Sequence, residues 1–295
     1  MHPAAGARHC RPPGAARVSE RHLPAHIAAA LAGNTVDSAG QAWEGRDLSG
    51  DGNPLHNFDD DDGAAPPAYA AALNRLLTGD GDEAAVLAAL AGVRVFVPVV
   101  AQLADEGGHA HAGDKEADMA LVTLKAPDGR TALPVFSSTA ALTAWHPEAR
   151  PVAVYAPRAA LSAVADNSEL LVIDPGSHFT FVVRRPAVWA LAQQVPWIPA
   201  YSDPRIAELV ALATGEEPAV LRVAVGPGSG VPARAADGTL ASGGGPGPEV
   251  RLQITLRDGL AEDAVRTVVQ RLQDNLRGNT EFVERVDSLE VMLTR

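Results

Sequence analysis

The sequence predicts an α+β protein: a mixed β-sheet with flanking helices, followed by a small β-β-α-β C-terminal domain. Three observations carry that reading. Short β-branched runs such as "VRVFVPVVAQ" and "SELLVID" alternate with segments of helical period through the middle of the chain. Proline, glycine or Asp-Gly punctuation bounds most of these runs. Near the C-terminus one amphipathic segment, 260–277, lies between runs of alternating pattern, with Leu260, Ala264, Val268, Leu272 and Leu276 stepping by four.

Residues 1–64 offer little to bury and end on Asp59-Asp60-Asp61-Asp62, so a mostly disordered tail is expected. The aspartate run lacks the alternating spacing and glycine of a calcium loop and reads as a solvated charge run. A first domain is expected over 65–200. Pro66 and Pro67 suit a helix start, Tyr69, Leu73, Leu76 and Leu77 recur at helical spacing, and Gly79 suits the stop. "DEAAVLAALAG" reads as a second helix. "VRVFVPVVAQ" reads as a central strand whose Pro98 calls for a free or bulged edge. "DMALVTLKA" and "RTALPVFSS" read as a hairpin turning at Pro127-Asp128-Gly129. A short helix over "STAALTAW", the strand "VAVYA", a helix opening at Pro157, two strands around Asp174-Pro175-Gly176-Ser177 and a helix opening at Pro186 complete it.

Pro196, Pro199 and Pro204 then break the chain, and 201–216 is expected to be a linker. The C-terminal domain, 217–295, contains "AVLRVAVG", a Gly/Pro/Ser/Ala-rich connector over 226–248, "EVRLQITLRD", the helix and the alternating strand "DSLEVMLT".

Composition excludes several functions. A net charge of −12 without a basic block disfavours nucleic acid. A single cysteine, Cys10, allows no intrachain disulfide and fits a cytoplasmic setting. No run of ~18 apolar residues is present, so no membrane span is expected. The Ala/Gly/Pro/Arg bias, with Lys115 and Lys125 the only lysines, has the look of a GC-rich genome. The Arg/His/Pro-rich first 30 residues read as a start codon placed too far upstream or an amphipathic transit peptide.

Candidate chemistry is sparse. "GPGSGV" follows a strand but opens no helix and carries no Lys-Ser/Thr, so it is no phosphate loop. His109 and His111, two apart, could share a strand face and hold a metal, but they lie among glycines and read as a solvated loop; no metal and no cofactor is expected. Ser177 and His178 are adjacent, which on a strand sends them to opposite faces, and no nucleophile elbow is present. Arg184 and Arg185 could clamp an anion where a helix opens at Pro186. Asp114, Lys115, Trp145, Asp174, Arg184 and Arg185 are the candidate partner contacts, with Lys115, Asp174, Arg184 and Arg185 foremost; Trp145 also reads as a core aromatic and Asp174 as a type II turn residue.

The segments "NTVDSAGQAWEGRDL", "FVPVVAQ", "DKEADMALVTLKAPDGRTALPVFSS", "AWHPEARPVAV" and "ELLVIDPGSHFTFVVRRPAVWALA" resemble the SseB family, in particular its actinobacterial members. The resemblance covers roughly 34–200, and residues from 217 onward look like a C-terminal SseB-type domain. It implies an association with serine sensitivity and supplies no catalytic residues. The expected function is a soluble, non-catalytic protein that binds a protein partner of unknown identity, with a binder of anionic metabolites or an enzyme of amino-acid metabolism as the alternative.

Overall fold

Pro66 and Pro67 supply preset dihedrals and lack the amide hydrogens that a helix start leaves unbonded. Helix α1 (Pro67–Thr78) begins there and ends at Gly79, whose φ of 82° returns its N–H to the last turn. Helix α2 (Glu83–Ala91) follows Asp82, whose carboxylate accepts the Ala85 N–H at 2.8 Å. The computed structural model describes residue 58 and residues 60–103, 117–215 and 217–294. Residues 60–295 form one compact unit.

Strand β1 (Arg94–Leu103) lies at the centre of a sheet of order β2-β1-β5, antiparallel to β2 (Ala117–Leu121) and to β5 (Arg150–Tyr155). Pro98 therefore sits in a central strand, not at a sheet edge. Its carbonyl accepts the N–H of Val122, one residue past the end of β2, so the N–H it lacks would point where that ladder has ended. On its other side it faces Pro151, and neither proline loses a partner.

A second sheet has the order β3-β4-β6-β7, from β3 (Leu124–Lys125), β4 (Thr131–Val135), β6 (Leu170–Ile173) and β7 (Phe181–Val183). The strand expected over "DMALVTLKA" is thus divided, β2 pairing with β1 and β3 with β4. Strands β4 and β6 are parallel; the chain between them runs through α3 (Thr139–Trp145), β5 and α4 (Ala156–Ala165). Phe96 and Phe136 exchange both backbone hydrogen bonds at 2.8 Å and stitch the two sheets together. The Asp174-Pro175-Gly176-Ser177 turn closes as expected, Ser177 N–H to Asp174 O at 3.1 Å with Gly176 at φ 76°. Asp174 itself stands at φ 52°, and the strand resumes at Phe181 and not at His178.

Helix α5 (Arg185–Gln193) leads to a 3₁₀ turn (Ala200–Ser202) and helix α6 (Pro204–Thr214). The segment expected as a linker is therefore mostly helix. Asp203 caps it through the Arg205 N–H at 2.9 Å, Pro204 opens it, and Ile206, Leu209 and Val210 are buried. They share a core with Val250, Leu252 and Ile254 of β11 (Val250–Leu256) and with Val268, Leu272 and Leu276 of α7 (Glu262–Arg277). Strand β11 pairs antiparallel with β8 (Val220–Pro227) and parallel with β12 (Leu289–Thr294), which is reached through α7 and α8 (Thr280–Arg285).

The connector expected over 226–248 is also built structure. It forms the hairpin β9 (Pro232–Arg234) and β10 (Leu240–Gly244). Ala233, Ala235 and Ala241 enter the first core beside Tyr69, Leu76 and Phe181. A Cβ at Gly230 would run into the backbone of Gly247, and one at Gly245 into that of Gly230 and Pro232. The glycines are required because backbone packs on backbone there, not because the segment must flex.

The aspartate run is partly structural as well. Asp61 accepts two hydrogen bonds from Arg94, each at 2.7 Å, and Gly63 O accepts the Thr139 N–H at 2.9 Å, so residues 61–63 are anchored to the unit. Asp61 is held below the ordinary carboxylate range, chiefly by the Arg94 guanidinium. Residues 1–57 and 59 lie outside the described residues. Residues 60–200 expressed alone leave the sites of Ala233, Ala235 and Ala241 empty; the fragment is expected to bind a hydrophobic dye and to lose the sharp urea transition of the full chain.

Candidate functional site

The chain leaves β7 through Arg184 in extended conformation and enters α5 at Arg185, so the two arginines point apart. Arg184 is 3% exposed and turned inward. Its Nη1 meets Glu83 Oε1 at 2.9 Å, and its Nη2 donates to the carbonyls of Gly230 at 3.0 Å and Gly245 at 2.7 Å. Glu83 is equally buried and also accepts the Gly244 N–H at 2.6 Å and the Tyr201 hydroxyl at 3.0 Å. Burial and the Glu83 charge push the Tyr201 phenol upward, which keeps it a donor. The anion that Arg184 binds is a carboxylate of its own chain.

Arg185 faces the other way. Its backbone N–H reaches Asp287 Oδ1 at 3.3 Å, and its Nη2 donates to the carbonyls of Val286 at 2.9 Å and Val283, which end α8. The Asp287 side chain is 1% exposed and holds Arg130 Nη1 at 2.7 Å. Glu249, nearby and fully buried, accepts the N–H groups of Ala200 and Asp287, and burial raises its carboxyl above the ordinary value.

Asp174 does not join the arginines. The pairing Leu171↔Val183 places Arg184 level with Leu170, four residues along β6 from Asp174, or about 13 Å at strand rise. Asp174 Oδ1 accepts the Ser137 N–H at 2.7 Å, and burial raises its carboxyl. Trp145 is half-buried against Phe136, with ring centroids 5.2 Å apart. Lys115, Asp114, His109 and His111 lie outside the described residues. Among the described residues no group of three or more His, Cys, Asp or Glu is placed to hold a metal. His178 is exposed and stands 3.6 Å from Asp237.

The residues that sequence reading missed lie beside Arg185. Helix α5 buries Pro186, Ala187, Val188, Ala190 and Leu191, which leaves Trp189 on its outer face, 46% exposed. The segment "VPWIP" follows and exposes Val195 and Ile198, the latter to 57%. Together they line a groove of about 750 Å³ rimmed by Arg185, Asp203, Glu284 and Arg285. Arg285 is tied to Asp203 at 3.0 Å and to Glu281 at 3.3 Å. The available signal was a tryptophan off the helix's buried face, followed by an apolar, proline-bound stretch.

Two outcomes test this geometry. Glu83→Ala leaves the Arg184 charge buried and unpaired and is expected to cost about 3–5 kcal/mol in urea unfolding, while Glu83→Leu with Arg184→Met recovers part of that loss. Asp174→Asn keeps the acceptor for Ser137, suits φ above zero and removes a desolvated charge, so stability near neutral pH is expected to be unchanged or higher. Because the folded carboxyl binds its proton more tightly than the unfolded one, wild type gains on Asp174→Asn as pH falls from the raised value toward the ordinary 3.8, and the difference is constant above that window.

No curated protein and no solved structure matches the chain. Residues 70–190, which run from α1 into α5 and include both arginines, match the family model of the SseB protein N-terminal domain. That segment carries an SseB protein N-terminal domain.

Proposed function

We propose that this chain is a non-catalytic binder that engages a protein partner through the groove beside α5. The observation that carries this is the group Trp189, Val195 and Ile198, exposed together along one groove whose lining also holds charges of both signs. Tryptophan in an apolar hollow is the commonest anchor of protein interfaces, and paired rim charges set orientation more than affinity. A partner segment with its own apolar anchor fits such a groove. Catalysis has less support: among the described residues no serine hydroxyl is hydrogen-bonded to a histidine. The setting proposed is the cytoplasm, and no helix among the described residues is long and apolar enough to cross a membrane. The link to serine sensitivity that the family resemblance implies belongs to the same proposal.

Trp189→Ala with Ile198→Asp is expected to abolish capture of the partner that the wild-type chain retains at stoichiometric level from its own cell lysate. Both side chains are exposed, so the melting temperature is expected to change little. Equal capture by wild type and the double variant would sink the groove as the contact.

A further inference from the structure

The C-terminal sheet has β11 at its centre and β8 and β12 at its edges. The Val250 N–H donates to Ser288 O at 3.0 Å, and the parallel register runs without a break from Val250↔Leu289 to Thr255↔Thr294. Glu290, Met292 and Thr294 therefore turn their backbone groups toward β11, and Leu289, Val291 and Leu293 turn theirs away from the sheet. Among the described residues those outward N–H and C=O groups have no hydrogen-bond partner. Two side chains of the same strand are open as well, Met292 at 39% and Leu293 at 43% exposure.

An open edge invites a further strand, and proteins commonly guard it with charge, proline or a bulge. The other long edges of this protein are guarded. Strand β5 carries Arg150 and Pro151, and β8 carries Arg222, Pro227 and a register shift opposite Thr255 and Leu256. Strand β12 has no proline, no basic residue and no bulge. Its one charge, Glu290, is already engaged by Arg251 Nε and Ser229 Oγ, each at 2.6 Å.

Strand β12 also fits itself. The outward groups of Leu289, Val291 and Leu293 must supply the hydrogen bonds of any added strand. A two-fold antiparallel pairing about Met292 lets Val291 of each copy exchange both bonds with Leu293 of the other, and these side chains meet on the core side of the sheet. On the opposite face Met292 stands against its own counterpart, and Glu290 faces the neutral Thr294. Centring the pairing on Glu290 would set carboxylate against carboxylate. Centring it on Val291 would set the carboxylate against Met292, and centring it on Leu293 would shorten the overlap.

We propose that β12 is a self-association edge, at which two copies of this chain pair antiparallel about Met292 and join their C-terminal sheets into one. A contact this short supports a micromolar association, weaker than that of an obligate dimer. It shares no residue with the groove beside α5.

Sedimentation equilibrium of the full chain, taken from low micromolar concentration to about 1 mM, is expected to show monomer passing into dimer and nothing larger, because two-fold pairing closes the edge. Leu293→Pro removes an N–H that β11 does not use, and Met292→Lys sets two cations face to face. Each is expected to weaken the dimer about tenfold or more, with the melting temperature at low concentration close to that of wild type. In a Cys10→Ser background, Met292→Cys is expected to form a covalent dimer under mild oxidation, and Gln253→Cys, one strand back from the join, is not. Trp189→Ala with Ile198→Asp is expected to dimerise like wild type, which separates this edge from the partner groove. A chain that stays monomeric at about 1 mM, a dimer that both edge variants leave intact, a Met292→Cys chain that does not cross-link, or a dimer lost in the groove variant would overturn the proposal.

Discussion

A carboxylate and a guanidinium shut away from water determine most of what surrounds them. Neither Glu83 nor Arg184 could be buried alone, since an unpaired interior charge costs several kcal/mol. Paired, they still have donors and acceptors to satisfy, and apart from the Tyr201 hydroxyl the further partners are backbone: the Gly244 N–H and the carbonyls of Gly230 and Gly245. Backbone can approach a buried ion pair this closely only where side chains are absent. A Cβ at Gly243 would overlap the Glu83 side chain, and one at Gly244 would overlap Phe181. Gly243 follows from that demand, and Gly230 and Gly245 from the close backbone packing beside it. So does the path of the 226–248 segment, which brings the β9–β10 hairpin over the first core.

Using Arg184 inward leaves Arg185 for the outside. The adjoining helix start is completed by Asp287, a residue from the far end of the chain, and Asp287 in turn holds Arg130 beside the β3–β4 turn. Family-matched and C-terminal residues are thereby joined through named charges as well as apolar packing. The same corner projects Trp189 to the surface and opens a hollow on either side of it. The exposed face of α5 is available for recognition because its other faces are occupied by the core.

The elements set by local rules were legible in the sequence. The three helices opened at Pro67, Pro157 and Pro186, the Asp128-Gly129 hairpin, the Asp174 turn and the helix over 262–277 depend on dihedral preferences, caps and periodicity within a few residues. Errors arose where meaning depended on a distant partner. The prolines around 196–204 read as breakers, yet Pro204 with Asp203 starts a helix whose apolar stripe finds β11 and α7 only in three dimensions. The strand over "DMALVTLKA" looked continuous because nothing local says that its halves pair with different sheets. At the candidate site, the strand-to-helix corner was identified in the sequence, but its two arginines looked equivalent. Adjacent residues leaving a strand point to opposite sides, and which side is interior is a property of the fold.

What the sequence by itself determined is the class of the protein, the order of most of its elements and the family of residues 70–190. Those rest on short-range stereochemistry and on pattern. Tertiary structure alone decided that Arg184 binds an internal carboxylate, that a glycine-rich loop is a fixed strap, and that Trp189 faces open space. Burial and hydrogen-bond satisfaction couple residues a hundred positions apart, and no window of sequence contains both members of such a pair.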